Sequence, residues 1–380
     1  MISSICCALG LLAGEPVMPL PAPVVAGPEP APQQPIYSEE ASPWRGVMDR
    51  LTFYGDTRFR LETNSNPPSG DSYRRMRLRV RLGADYVIND EVTVGARLTT
   101  GSQDDPLSSN TTLGDGFEKI ELNLDRLFLT WRPQTLDPFS ATFGKFAHPF
   151  TRNPVYDELV WYSVAQPEGF VLQHDWAPAG FAGRVGARAG YYIVEEDRKS
   201  GAGAGVAELF SRYGFGRSDH WDLSLAYYGY SHTDEFLGGT GTTPDYDILD
   251  LIGSVTLNDG GGPWKLSFEG INNVSVSGEA GRGWALGAGW GTTAKQADWR
   301  AYYQYQQLGN DSVFGLVAND DFMVKSNFRG HASGVNYQIT DAIGLHLWTL
   351  ISTPLDADLN APGDTDGWST RIRFDLNVKF

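Results

Sequence analysis

Residues Arg74 to Val87 (RRMRLRVRLGADYV) decide how this 380-residue chain folds. Met76, Leu78, Val80, Leu82 and Ala84 alternate with Arg75, Arg77, Arg79, Arg81 and Asp85. That is the period of two by which successive strand side chains reach opposite faces. Wound as a helix, the segment would spread its arginines around the whole circumference and bury some of them. It reads as a strand with one apolar and one basic face.

Working outward, Leu51 to Glu62 (LTFYGDTRFRLE) repeats the alternation. Leu51, Phe53, Thr57, Phe59 and Leu61 oppose Thr52, Asp56, Arg58, Arg60 and Glu62. At the far end, Trp368 to Phe380 (WSTRIRFDLNVKF) sets Trp368, Ile372, Phe374, Leu376, Val378 and Phe380 against Arg371, Arg373, Asp375, Asn377 and Lys379. Between them the same reading gives candidate strands near 91–101, 124–133, 139–147, 168–176, 180–194, 203–213, 219–230, 248–258, 263–274, 282–292, 297–308, 327–338 and 342–352. With the three quoted segments the total is sixteen, an even number.

Connections alternate in length. Short links at 88–90, 177–179 and 340–341 take turns with long polar ones at 63–73, 102–123, 148–167, 231–247, 309–326 and 353–367. A soluble sandwich has no reason to keep this rhythm, whereas transmembrane barrels join strands by short periplasmic turns and long outer loops. Hydrocarbon offers no water to unpaired backbone groups, so a spanning sheet must close on itself. The expected fold is all-β, a closed antiparallel transmembrane β-barrel. Segments 102–123, 231–247 and 309–326 are expected outside the cell, with 88–90 and 340–341 in the periplasm. Trp131, Tyr191, Trp221, Tyr227, Trp264, Trp284, Trp290, Trp299, Trp348 and Trp368 fall near inferred strand ends, suiting rings at headgroup level. On the last strand, Arg in place of Phe374 or Leu376 should be costly, and Arg373→Ala, on the wet face, mild.

Composition agrees. After about residue 25 no stretch approaches the ~18 to 20 apolar residues of a membrane helix. The 30 basic and 46 acidic side chains leave a net charge of −16, which argues against a nucleic-acid partner. Residues 1–25 read as a signal peptide with apolar core Ile2 to Ala13, although the first basic residue is Arg45. Residues 26–48 read as a Pro-rich periplasmic linker, and 49–380 as the barrel. Cys6 and Cys7 are the only cysteines, so a processed chain has neither a disulfide framework nor a thiolate site.

Gly55 to Glu62 (GDTRFRLE), Arg75 to Gly83 (RMRLRVRLG), Leu113 to Phe117 (LGDGF), Leu124 to Pro133 (LDRLFLTWRP), Gly144 to Phe150 (GKFAHPF) and Gln166 to Phe170 (QPEGF) together resemble the outer-membrane porin family of Gram-negative-type bacteria. The motifs cover about residues 50 to 175. The resemblance implies a general-diffusion-like pore for small hydrophilic solutes in the bacterial outer membrane, in contact with lipid and lipopolysaccharide. It is compatible with a homotrimer. Phe380 resembles the terminal signal that such proteins present to the barrel-assembly machinery. In general diffusion porins a third outer loop folds inward, which implies that Asp157 and Glu158 of 148–167 face a basic wall.

That wall is read from the polar faces. Arg58, Arg60, Arg75, Arg77, Arg79, Arg81, Arg97 and Arg126 lie on the first four strands, and Arg184 and Arg188 on the seventh. At ~3.3 Å rise per residue, Arg58, Arg79, Arg81 and Arg97 fall at similar heights, so a wet, screened lumen is their natural setting. No metal or cofactor is expected: the six histidines are scattered, and Asp356, Asp358 and Asn360 only mimic the start of a calcium loop, with Ala361 and Gly367 where glycine and glutamate belong. No local motif supports an enzyme. A passive pore leads the functional readings, ahead of a selective channel for an anion or anionic polysaccharide and a non-conducting structural or adhesive barrel.

Overall fold

The computed structural model describes residues 45–156, 159–195, 201–216, 218–233, 245–258, 260–359 and 367–380. The expected leader, linker residues 26–44, Asp157 and Glu158 lie outside the described residues, as do 234–244 and Asn360. The barrel unit is Gly46–Phe380.

After a helical turn, α1 (Arg45–Met48), the chain forms β1 (Leu51–Ser65), β2 (Tyr73–Val87), β3 (Val92–Thr100), β4 (Thr111–Thr112), β5 (Leu122–Trp131), β6 (Phe139–Lys145), β7 (Glu168–Trp176), β8 (Gly183–Glu195) and β9 (Ala202–Gly214). It continues with β10 (His220–Ser231), β11 (Asp247–Asn258), β12 (Pro263–Asn273), β13 (Arg282–Gly291), β14 (Trp299–Leu308), β15 (Phe328–Gln338), β16 (Ile343–Pro354) and β17 (Ser369–Lys379). Sixteen of these form the barrel wall, each antiparallel to its neighbours, and β1 pairs with both β2 and β17 to close it. The two-residue β4, unforeseen in the sequence, pairs Thr111 and Thr112 with Leu78 and Arg77, where β3 has already ended.

The seam runs to the last residue. Phe380 N donates to Gly55 O at 3.1 Å, and Gly55 N donates to Phe380 O at 3.0 Å. A Cβ on Gly55 would lie 2.7 Å from the Phe380 ring and 2.6 Å from the Arg81 carbonyl oxygen, so a side chain there would force the seam to shift.

The period of two sorts the two faces. Phe53, Phe59, Leu61, Met76, Leu209, Leu286, Leu347 and Phe374 are exposed on the outside. Arg60, Glu62, Asn64, Arg371, Arg373 and Asp375 are buried on the inside. The apolar core therefore sits in the lumen, where Phe150, Val155, Leu159 and Trp161 of the 146–167 loop meet Val313, Phe314, Val317 and Phe322 of the 309–327 loop. Small inward positions on β13 and β15 make room. A Cβ on Gly287 would come within 2.9 Å of Val155, and one on Gly330 within 2.6 Å of Phe322.

Two expectations are corrected. Segment 309–326 is not simply exposed outside, because Val313, Phe314, Ala318 and Phe322 are buried in the barrel. Trp348 is not at an interface: it is buried on the inner face, with the Arg60 and Arg373 guanidiniums 5.0 and 4.6 Å from its ring centroid. Trp131, Tyr191, Tyr227, Trp264, Trp299 and Trp368 are exposed as expected.

A third correction yields a prediction. Arg373 Nε donates to Glu62 Oε2 at 2.5 Å, and its guanidinium also binds Asp321. Removing it leaves two buried carboxylates short of their counter-charge, so Arg373→Ala should cost about 3–5 kcal/mol instead of being mild. Phe374→Arg, placing a charge in lipid, should cost about 2–4 kcal/mol. Denaturant unfolding of the barrel in lipid vesicles checks both, and a tolerated Arg373→Ala would contradict the buried lattice.

Candidate functional site: the lumen wall and its inward loops

Antiparallel pairing brings residues directly opposite each other to within about 5 Å at Cβ, so the inner wall is fixed by register. Arg60 stands opposite Asp375 and forms a two-toothed contact, Nε to Oδ1 at 2.7 Å and Nη2 to Oδ2 at 2.8 Å. Glu62 stands between Arg75 and Arg373, accepting from Arg75 Nε at 2.6 Å. Asp56 accepts from Arg79 Nε at 3.0 Å and from Arg81 Nε at 2.7 Å. Arg97 pairs with Asp125, and Arg188 with Glu208. The counter-charges that the positive stripe requires lie in part on the strands themselves.

Three arginines differ. Arg58 donates to Asn110 Oδ1 at 2.8 Å and lies 3.9 Å from Asp375. Arg77 donates to Ser108 Oγ at 2.9 Å, and Arg126 to Gln166 Oε1 at 2.7 Å. Arg77 and Arg126 thus lean on neutral groups of loops 101–121 and 146–167 and keep their charge for the lumen. Arg184 stands farther round the wall, its guanidinium half exposed and 3.7 Å from Asp175. A cavity of about 360 Å³ at the short-turn end of the barrel is lined by Asp56, Arg79, Arg81, Asn336, Gln338 and Asn377.

Opposite, the 146–167 loop is held by acids that sequence reasoning did not single out. Glu208 accepts from the backbone N of Thr151 at 2.7 Å and from Ser224 Oγ at 2.6 Å. Glu269 accepts from the backbone N of Leu159 at 2.8 Å and from Asn153 Nδ2 at 2.9 Å. Arg300 donates to the Val155 carbonyl at 2.5 Å. His148 stacks on Trp161 with ring centroids 4.6 Å apart and planes 6° apart. Asp250 on β11 is buried beside these acids, and among the described residues both its carboxyl oxygens lack a hydrogen-bond partner.

Asp321 joins the pieces. Its carboxylate accepts from Tyr156 Oη at 2.8 Å and Tyr162 Oη at 3.3 Å on one loop, and binds Arg373 on the wall. Arg371 Nη1 donates to the Asp321 carbonyl at 2.8 Å, and Tyr162 N donates to Val317 O at 2.7 Å. Burial pushes the Asp321 carboxyl up, but Arg373, with help from Arg60 and Tyr156, outweighs it and holds the group below the usual carboxylate range. Its neighbour Asp320 has no such side-chain bond among the described residues; burial, then the Asp321 charge, raise it to about 6. Asp321 is thus a loop carboxylate bonded to the basic wall. Its burial follows from apolar residues flanking it at Val317, Ala318 and Phe322, a signal readable in the sequence.

Known proteins bear on this arrangement. Residues 68–192 match the model of a family described as putative porin. Among solved structures, Pseudomonas putida OprB is similar at TM-score 0.58 and 12% identity, covering 88% of this chain and 95% of its own. An anion-selective porin from Comamonas acidovorans gives 0.54 at 12%, covering 87% and 99%. Salmonella typhi OmpF, in a complex with daunomycin, gives 0.53 at 13%, covering 87% and 97%. No curated protein sequence matches the chain. The barrel has the fold of bacterial porins.

Two outcomes test the loop anchorage. Asp250→Leu removes an unsatisfied buried carboxyl and should stabilise the barrel by about 1–3 kcal/mol in denaturant unfolding; a loss of stability would mean that Asp250 has a partner. For Asp320, a folded pKa raised to about 6 from an unfolded value near 3.9 favours folding below about pH 4, and this contribution is lost as pH rises through about 6. Asp320→Asn should therefore flatten the decline in stability between pH 4 and 7 by roughly 1–2 kcal/mol. An unaltered pH profile would place Asp320 in water.

Proposed function

We propose that this chain is a bacterial outer-membrane porin, a passive channel for small hydrophilic solutes whose route follows the arginine-bearing wall of β1, β2, β3, β5 and β17. The observation that carries the reading is the division of the lumen. One part is filled by the 146–167 and 309–327 loops, which pack from Tyr192 on β8 round to Trp348 on β16 and meet β17 at Arg371 and Arg373, and the rest presents charged side chains in register. Apolar solutes would give up water there for no compensation, whereas polar solutes would exchange it for guanidinium and carboxylate contacts.

Within this reading Arg58, Arg60, Arg75, Arg77, Arg79, Arg81, Arg97 and Arg126 line or support the path, and Arg184 and Arg188 line its far side. Asp321 supplies loop charge, in company with whatever Asp157 and Glu158 contribute. Residues 1–25 would direct export, Phe380 would serve assembly, lipid and lipopolysaccharide would surround the barrel, and copies would associate as homotrimers. The extent of loop packing favours a second reading, a sealed structural barrel, which conductance separates from the first.

Planar-bilayer recording tests the proposal. Discrete openings are expected, with reversal potentials in a salt gradient favouring anions modestly. Arg77→Ser combined with Arg126→Ser removes two positive charges without freeing a carboxylate. It should shift permeability toward cations at about 0.01 M salt, where the Debye length is ~30 Å, and have little effect at 1 M, where it is ~3 Å. Absence of any conductance would favour the sealed barrel.

A further inference from the structure

A second basic site lies at the far side of the proposed route, on β8 and β9. β8 and β9 place Arg184 directly opposite Arg212. Both side chains are about half exposed, at 51% and 48%. Like charges directly opposite on paired strands destabilise a sheet unless something of opposite sign lies between them. Arg212 is held by Asp222, Nε to Oδ1 at 2.6 Å and Nη2 to Oδ2 at 3.1 Å. Among the described residues Arg184 has Asp175, at 3.7 Å, as its one ion-pair partner, and its guanidinium lies 5.9 Å from the Phe210 ring centroid. Arg188 is engaged by Glu208 and by Gln173 Oε1 at 2.9 Å, and its guanidinium lies 4.0 Å from the Phe210 ring centroid.

Into this group the 146–167 loop brings Arg152, which has no hydrogen-bond or ion-pair partner among the described residues. Together these side chains border a cavity of about 240 Å³, whose remaining lining is Pro149, Phe150, Pro154, Phe210 and Leu223 with the polar Thr151, Ser211 and Ser254. Four arginines and Asp222 line it, and Asp175 and Glu208 lie behind Arg184 and Arg188. Among the described residues one positive charge is left over. At ~30 Å³ per water, the space suits a solute of about eight non-hydrogen atoms.

We propose that this cavity binds a short-chain aliphatic monocarboxylate, its carboxylate between the Arg152 and Arg184 forks and its tail against Phe150 and the prolines. A planar guanidinium presents two parallel N–H donors that match a carboxylate and not a halide. The single unmatched charge selects a monoanion, and the apolar part of the lining at Pro149, Phe150 and Pro154 favours a short hydrocarbon tail. The inference rests on the channel reading only for the route by which the anion arrives.

The test is equilibrium binding of butyrate to the full folded chain in non-ionic micelles at low ionic strength, followed by calorimetry, with formate, phosphate and chloride in parallel. Saturable butyrate binding is expected, tighter than formate or phosphate and poorly displaced by chloride. Arg152→Ser and Arg184→Ser should each weaken it by about tenfold or more, and Arg152→Lys, which keeps the charge but loses the fork, by less. Arg152→Ser frees no carboxylate among the described residues, so folding should survive. Arg282→Ser, at an exposed pair with Glu279, should leave binding unchanged. No saturable binding, equal binding by Arg152→Ser, or chloride competing as well as butyrate would overturn the proposal. Binding in micelles by a barrel that passes no current would sink the channel reading and leave the pocket standing; current without binding would do the reverse.

Discussion

Everything in this molecule depends on the row of backbone hydrogen bonds between its first strand and its last. Asp56 to Ser65 pair with Lys379 back to Thr370, and without that row β1 and β17 would each expose an edge of unpaired N–H and C=O groups. In hydrocarbon such groups have no alternative partner. Closure turns a sheet with one apolar face into an object with an outside and an inside, and it obliges the polar face of every strand to look at the same enclosed space. The extension of pairing to Phe380 and the bare backbone of Gly55 beneath its ring show how far the seam is carried.

The enclosed space is then shared out by charge and by packing. Where β1, β2 and β17 meet, arginines alternate with carboxylates in register, so the wall carries many charges but little unmatched charge. Where β9 to β15 curve round, the inner positions are largely small, aromatic, amide or acidic, with Arg212 and Arg300 among them, and two loops fill the volume. Glu208 and Glu269 act there as fixed acceptors for backbone N–H groups of the 146–167 loop, which would otherwise be buried without partners. Asp321 links the two halves by accepting from both the loop tyrosines and the wall. The loops are thereby held as part of the barrel.

The strands were legible because lipid on one side and water or charge on the other enforce alternation. Met76 against Arg77, or Phe374 against Arg373, leaves no other economical conformation. The same rule loses its force wherever the inner face is apolar. On β16, Leu345 and Leu347 point out while His346, Trp348 and Leu350 point in, and both sets are greasy. Trp348 was therefore placed at an interface when it backs two arginines. The bonds of Arg79 and Arg81 to Asp56 were hidden for a different reason: they depend on the register between β1 and β2, which the connecting loop sets and no local pattern encodes. The inward 309–327 loop could have been suspected from Val313, Phe314, Val317 and Phe322, too many apolar side chains for a segment assigned to water.

The central claim is that the two inward loops form one fixed body, tied to the wall through Asp321, and leave passage along the arginines of β1, β2, β3 and β5. It is tested most directly by locking them together. In a chain carrying Cys6→Ser and Cys7→Ser, the substitutions Tyr162→Cys and Val317→Cys place thiols where the two backbones already share a 2.7 Å hydrogen bond. Single-channel conductance would be recorded on the oxidised barrel and again after reduction. The account predicts that the disulfide forms readily and that conductance is the same in both states. Failure of the thiols to pair, or a conductance that rises when the loops are released, would contradict it.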